Sequence, residues 1–153
     1  MVNIKFGKLE DFNKNPDAYV GIIPTGIASK KELLQSYADV FKFPGNFCDN
    51  WDYFDELLSD FSWLSNKHFV IYHEDVPNLG DKDVLILLKI LNDISHSNPY
   101  TKDKDLIQTF IVAFPEQYKE RIEKILEEIK NLDDYQLNQI YKQNRNEKSH
   151  KRG

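Results

Sequence analysis

Five carboxylates crowd the stretch from Pro44 to Leu64, PGNFCDNWDYFDELLSDFSWL, with no Lys or Arg among them. They are Asp49, Asp52, Asp55, Glu56 and Asp60. Uncompensated carboxylates can do two kinds of chemistry. They can ligate a hard cation such as Mg²⁺ or Mn²⁺, or they can pair with the arginines and lysines of a cationic partner. The spacing predicts a helix from about Trp51. Trp51, Phe54, Leu58 and Phe61 then fall at i, i+3, i+7 and i+10, a single apolar stripe to bury. Asp49, Asp52 and Glu56 share another face, where like charges three or four residues apart repel by roughly 0.2–0.5 kcal/mol per pair. A solvated acidic face is the plain explanation. Charge held for a partner is the other, and it requires carboxylates left unpaired in the free chain.

Other chemistry is thin. There is no phosphate-cradling glycine loop, no G-x-S-x-G and no HExxH. His68 and His73 are five apart on a candidate strand, so they point to opposite faces and cannot share one metal. His96 and His150 fall in polar loop and tail. The single cysteine, Cys48, excludes an internal disulfide and a cysteine-rich zinc site. Beside Asp49 it is also a poor place for a thiolate nucleophile. Glu74 and Asp75 follow a candidate strand, as catalytic carboxylates often do in parallel sheets, and acids there are equally ordinary turn residues. Joined with Asp52 and Glu56 they would form an all-oxygen Mg²⁺ or Mn²⁺ site, so the alternative function is a carboxylate- and metal-dependent hydrolase. No cofactor is otherwise implied.

A proline, an amide-and-aromatic turn, Asn50-Trp51-Asp52, and an acidic helix ending in Trp63-Leu64 resemble the signature of the barstar family, the small intracellular inhibitors of ribonucleases. The resemblance is tight over Pro44 to Leu64 and looser from Tyr19 to Phe114. It implies an inhibitor or immunity protein rather than an enzyme. Its partner would be a basic bacterial ribonuclease toxin, delivered by secretion or by a neighbouring cell's contact system and bound 1:1. The resemblance also implies roles. The two helix acids one turn apart that plug a nuclease site fall on Asp52 and Glu56, and a later helix acid falls on Asp93. Asn50 keeps the family asparagine, to cap the helix or to touch the partner. Asn46, Asp49, Asp55 and Asp60 complete the expected partner-binding set, with Tyr53 open to either partner or core. The sequence also departs from the family. Asn46 stands where many members have an aromatic residue, Cys48 where glycine is usual, and Glu56 where aspartate is common. These changes imply a cognate toxin other than barnase.

The elements that must position these residues can be read in order. Tyr19 to Ile23, YVGII, reads as a buried strand closed by Pro24. Ser29 and Glu32 form a capping box that opens a helix with Leu33, Leu34, Tyr37, Val40 and Phe41 on one stripe. Pro44 and Gly45 are expected to stop it. Asp49 or Asn50 can cap the acidic helix, and Asp52 suits its first turn. Lys67 to His73 is a strand by its β-branched and aromatic content. Asp81 to about Ile94 is a broadly apolar helix, and Ile107 to Phe114 a further strand. Residues 116–141 look helical, with a possible break at Asp133-Asp134 and a short second helix after it. Strands separated by helices predict an α/β fold with a small parallel sheet. The resemblance implies three strands packed with helices, to which an additional C-terminal helix is appended. The expected organisation is an N-terminal extension over 1–18, the barstar-like domain over 19–115, a helical extension over 116–141 and a basic tail over 142–153. A third functional reading gives self-association to the C-terminal helix through Ile122, Ile125 and Ile129.

Composition agrees with an acidic protein-binding body. The 153 residues are 41% hydrophobic and 13% aromatic, enough for one real core. Residues 141–153 carry five basic side chains against Glu147, a net of +4, so the total of −5 leaves −9 on residues 1–140. That body should repel nucleic acid and attract basic proteins. The first residues, MVNIKFGKLEDF, do not pattern as a signal peptide, and Val84 to Leu88 is too short an apolar run to span a bilayer. The expectation is a cytoplasmic protein with no membrane contact.

Overall fold

The computed structural model describes residues 3–44, 50–59, 61, 63–95, 108–133 and 135–140. Four strands, β1 (Lys5–Phe6), β2 (Tyr19–Ile23), β3 (His68–His73) and β4 (Thr109–Phe114), form one parallel sheet in the order β1-β4-β3-β2. The α/β class is as expected, but the sheet has four strands rather than three. The additional strand comes from the segment read as an N-terminal extension. Two residues are too few to show an alternating pattern. Pairing decides them: Lys5 lies opposite Ala113, Phe6 opposite Phe114, and the Gly7 N–H donates to the Phe114 carbonyl at 3.0 Å.

Register places Tyr19, Gly21 and Ile23 beside Phe69, Ile71 and His73, with Phe110 and Val112 beyond them on the same face. The helices between these strands are α2 (Lys30–Phe41), α3 (Trp51–Leu58) and α4 (Asp81–Ile94). Right-handed crossovers moving one way along the sheet put all three on this one face. The connection from β1 returns the opposite way, carrying the short helix α1 (Leu9–Phe12), and therefore crosses the other face. The Tyr72 hydroxyl holds it by donating to the Gly7 carbonyl at 3.0 Å. Ile22 and Ile111 on that face stay 40% and 39% exposed, so the cover is partial.

The helix-covered face explains the aromatic content. Phe61 is its hub, with ring centroids of Trp63, Phe69, Phe110 and Phe41 at 5.0, 5.0, 5.2 and 5.4 Å. Gln108, almost fully buried, secures that ring from behind. Its amide donates to the Phe61 carbonyl at 2.9 Å and its oxygen accepts from the Phe61 N–H at 3.1 Å. The Phe61 N–H would otherwise be buried without a partner, while its carbonyl also accepts from the Leu64 N–H at 2.9 Å.

Local chemistry sets the helix ends. The Ser29 Oγ accepts from the Glu32 N–H at 3.1 Å and opens α2. The helix closes before Pro44, on Lys42 in the left-handed region (φ 55°), whose N–H donates to Ala38. After β4 a 3₁₀ turn, Glu116–Tyr118, leads into α5 (Lys119–Lys130). The break predicted near residue 133 is present. Asp133 and Gln136 exchange backbone-to-side-chain bonds of 2.8 and 3.0 Å, a capping box for a short helix over 135–140. Ile122 and Leu126 are buried, and Ile125 and Ile129 pack against the core cluster. The stripe read as a self-association surface is thus engaged within the chain. Among the described residues no helix is long and apolar enough to cross a membrane.

Candidate functional site

The acidic helix α3 is built as a stiff, one-sided element. Asn50 is its cap: extended backbone (φ −145°) turns its Oδ1 onto the Tyr53 N–H at 2.7 Å. Trp51, Phe54, Leu57 and Leu58 are buried against the core. Phe61, read as the last residue of the same stripe, is fully buried too, though it lies past the end of the helix. The indole N–H of Trp51 donates to Asp83 on α4 at 3.0 Å, tying the start of α3 to its neighbour. Trp63 lies half-buried with its indole N–H on the Phe41 carbonyl at 3.0 Å. Both tryptophans therefore serve packing.

The opposite side of α3 presents its acids. Asp52, Asp55 and Glu56 are all exposed. Glu56 has no hydrogen-bond or ion-pair partner among the described residues. Asp55 has its carboxyl pushed above the ordinary carboxylate range. Partial desolvation is the largest cause, then the anions Asp93 and Asp52; the Lys89 ammonium opposes them. These charges show that α3 and the end of α4 share one negative field.

The expectation of unpaired acids does not hold throughout: Asp52 interacts within the chain, and Asp93 is ion-paired. Lys89, one turn earlier on α4, donates to its carboxylate at 2.6 Å. The pair is exposed and of the i,i+4 kind, worth roughly 0.3–0.5 kcal/mol, so a stronger cation can displace it. Tyr53 is half-buried and its hydroxyl reaches the Pro44 carbonyl at 3.3 Å, so it braces the entry to α3. The structure thus brings Asn50, Asp52, Tyr53, Asp55, Glu56 and Asp93 to one region. Asn46, Asp49 and Asp60, with Phe47 and Cys48, lie outside the described residues.

The hydrolase alternative does not find its site. It needs Asp52, Glu56, Glu74 and Asp75 to converge. Among the described residues no three His, Cys, Asp or Glu side chains come together as a metal-binding group. Asp75 instead accepts from the Gly26 N–H at 3.1 Å and ties together the loops after β2 and β3. His68 is exposed against Thr109 and His73 is fully buried, on opposite faces as strand alternation requires.

The family model described as Barstar (barnase inhibitor) matches residues 19–113. This chain belongs to the barstar family. The match runs from the first residue of β2 almost to the end of β4, and so includes α2, α3 and α4 with Asp52, Glu56 and Asp93. Barstar-family members are inhibitors rather than enzymes, which agrees with a site made of surface carboxylates. Strand β1 and helix α5 lie outside the matched span and add to the family core at its two ends. No curated protein and no solved structure matched in the corresponding comparisons.

Sequence reasoning missed two polar residues that hold this framework. Gln108 falls inside the strand expected over Ile107 to Phe114, where nothing marks it out, but β4 begins one residue later at Thr109. For His73 the sequence gives a strand end and rules out a metal shared with His68, but no buried partner. The His73 Nε2 lies 2.6 Å from the Tyr37 hydroxyl and its ring stacks on Phe114 at 4.7 Å. A tyrosine in a helical stripe and a histidine closing the next strand were the available hints.

Proposed function

We propose that this chain is an immunity-type inhibitor that occludes the active site of a basic bacterial ribonuclease toxin in a 1:1 complex. A ribonuclease site is cationic because it must hold phosphates. Asp52 and Glu56, one turn apart on the exposed side of α3, offer carboxylates for those phosphate-binding positions and can pair bidentately with arginines. Asp55 and Asp93 extend the negative field, and Asn50 holds the helix start. Asn46, Asp49 and Asp60 are proposed to border the same contact. The observation that carries the reading is Glu56: exposed, without a partner among the described residues, and one turn from Asp52 in a chain of the barstar family. The body charge of −9 on residues 1–140 would speed encounter with a basic partner.

The test uses any basic ribonuclease domain found in the reading frames flanking this chain's gene, with barnase as a reference. The chain should abolish RNA cleavage by the former at one equivalent. Glu56→Ala should weaken binding by about 2–5 kcal/mol, the range for truncating one partner of a buried charge pair, for which barnase–barstar is itself a reference system. Undiminished binding by the Asp52→Ala/Glu56→Ala double variant would remove the basis of the proposal.

A further inference from the structure

A basic patch lies away from the acids of α3, between the first turns of α4 and α5. There the two helices enclose a groove of about 340 Å³. Helix α4 follows β3 and α5 follows β4, so the groove opens at the carboxyl end of the sheet, where α/β folds hold their ligands. Its floor is apolar: Val84 is buried, and Leu85 and Ile125 are half-buried. Its rim is basic, in a chain that is acidic as a whole. Arg121 and Lys124 stand three residues apart on α5, both exposed and both lining the groove. Among the described residues neither has a hydrogen-bond or ion-pair partner. Glu128, one turn beyond Lys124 on the same wall, does not pair with it. Asp81, the other acid at the groove, sits in the first turn of α4, where the helix dipole favours it. The two cations do nothing for their own helix. Like charges at this spacing repel, and the first turn of a helix favours acids over bases.

We propose that this groove binds a small amphipathic anion, a carboxylate carried on a short apolar chain or ring. Volume argues for a small molecule: the groove falls within the ~300–1,000 Å³ of pockets that enclose such ligands. Charge complementarity argues for an anion. The Arg121 guanidinium can take a carboxylate bidentately, and the Lys124 ammonium adds a point charge beside it. The floor argues for the apolar part. Leu85 and Ile125 keep some of their surface in water in the free chain, and a chain or ring laid across them removes it. Lys82 lines the α4 wall and already interacts within the chain, so the anion's contacts are assigned to α5 alone. Arg121 and Lys124 lie outside the span that matches the family, so the groove is an addition to the family core. It shares no residue with the acidic side of α3, and the proposal stands or falls independently of the inhibitor function.

The experiment titrates the full-length chain with octanoate and follows its backbone amides by NMR. Acetate, which lacks the apolar chain, and octylammonium, which reverses the charge, are the controls. Octanoate should bind saturably, move the amides of residues 81–85 and 121–128, and raise the thermal midpoint, as any ligand of the folded state does. Each control should bind at least tenfold more weakly. Arg121→Gln/Lys124→Gln should weaken octanoate at least tenfold. Both side chains are exposed, and an unchanged midpoint without ligand would show that this variant folds. The comparison with the controls needs no variant at all. Amide shifts scattered over the chain, or gathered at another place, overturn the site. Parent-like binding by the double variant, or octylammonium binding as well as octanoate, overturns recognition of the anion. Acetate binding as tightly as octanoate reduces the groove to charge pairing and overturns the proposal too. A Glu-Leu-Leu-Glu peptide that moves the same amides and binds more tightly than octanoate assigns the groove to an acidic segment of a partner protein and overturns the small-molecule reading.

Discussion

Asp55 shows how a single residue reports on the purpose of its surroundings. Its carboxyl is raised because it is partly withdrawn from water and stands near Asp93 and Asp52. In the free chain this is a small cost, since the charged form is the disfavoured one. A cationic partner reverses the sign of the field and favours ionisation. Binding should then release a proton, so affinity rises with pH through the raised carboxyl value of the free chain and levels off above it. Isothermal titration in buffers of different ionisation enthalpy would measure the proton release. Asp55→Asn should remove it while keeping the fold, and an unchanged release would assign the proton elsewhere. Glu56, the next residue, is exposed, and its longer side chain suits reach more than packing.

Among the elements, α2 and β2 show how closely the framework behind the acids is packed. A Cβ added to Gly21 would lie 2.2 Å from the Phe41 ring and 2.7 Å from the Val40 side chain. Only glycine lets α2 approach the strand this closely. Phe41 in turn supports Phe61 and accepts the Trp63 indole, so the collision would spread toward the end of α3. Gly21→Ala should destabilise the chain by about 1–3 kcal/mol, the usual range for overpacking a core. Urea unfolding measures this directly, and a neutral result would mean that α2 can shift freely. Inhibition by the folded fraction should survive, because the acids themselves are untouched.

For the whole molecule, one buried histidine ties folding to pH. His73 closes the central strand β3, fully enclosed between the Tyr37 hydroxyl of α2 and the Phe114 ring of β4. Burial lowers its pKa from 6.5 to about 3, so the folded chain keeps it neutral. As pH falls below 6.5 the unfolded chain takes up a proton that the folded chain refuses. Stability is therefore complete above about 6.5 and declines by about 1.4 kcal/mol per pH unit on the way down to about 3. Denaturant unfolding at pH 7, 6 and 5 should show this slope in the parent and not in His73→Phe. Equal slopes in the two chains would place the acid sensitivity in other groups.

The sequence by itself determined whatever is written in local pattern. The stripe of Trp51, Phe54 and Leu58 fixed which side of α3 is buried, and so which side shows Asp52 and Glu56 to solvent. Ser29, Asn50 and Asp133 each mark a helix start because a short polar side chain can satisfy a free backbone N–H within three residues. The order Pro44, Asn50, Trp51, Asp52 pointed to the family. Tertiary structure alone decided the rest, because those facts depend on residues far apart in the chain. Lys5 and Phe6 became a strand only by finding the edge of β4. The Gln108–Phe61 and His73–Tyr37 pairs join residues 47 and 36 positions apart, beyond the reach of any periodicity. Asp55 and Asp93 came near each other because parallel strands carry their helices to one face, side by side.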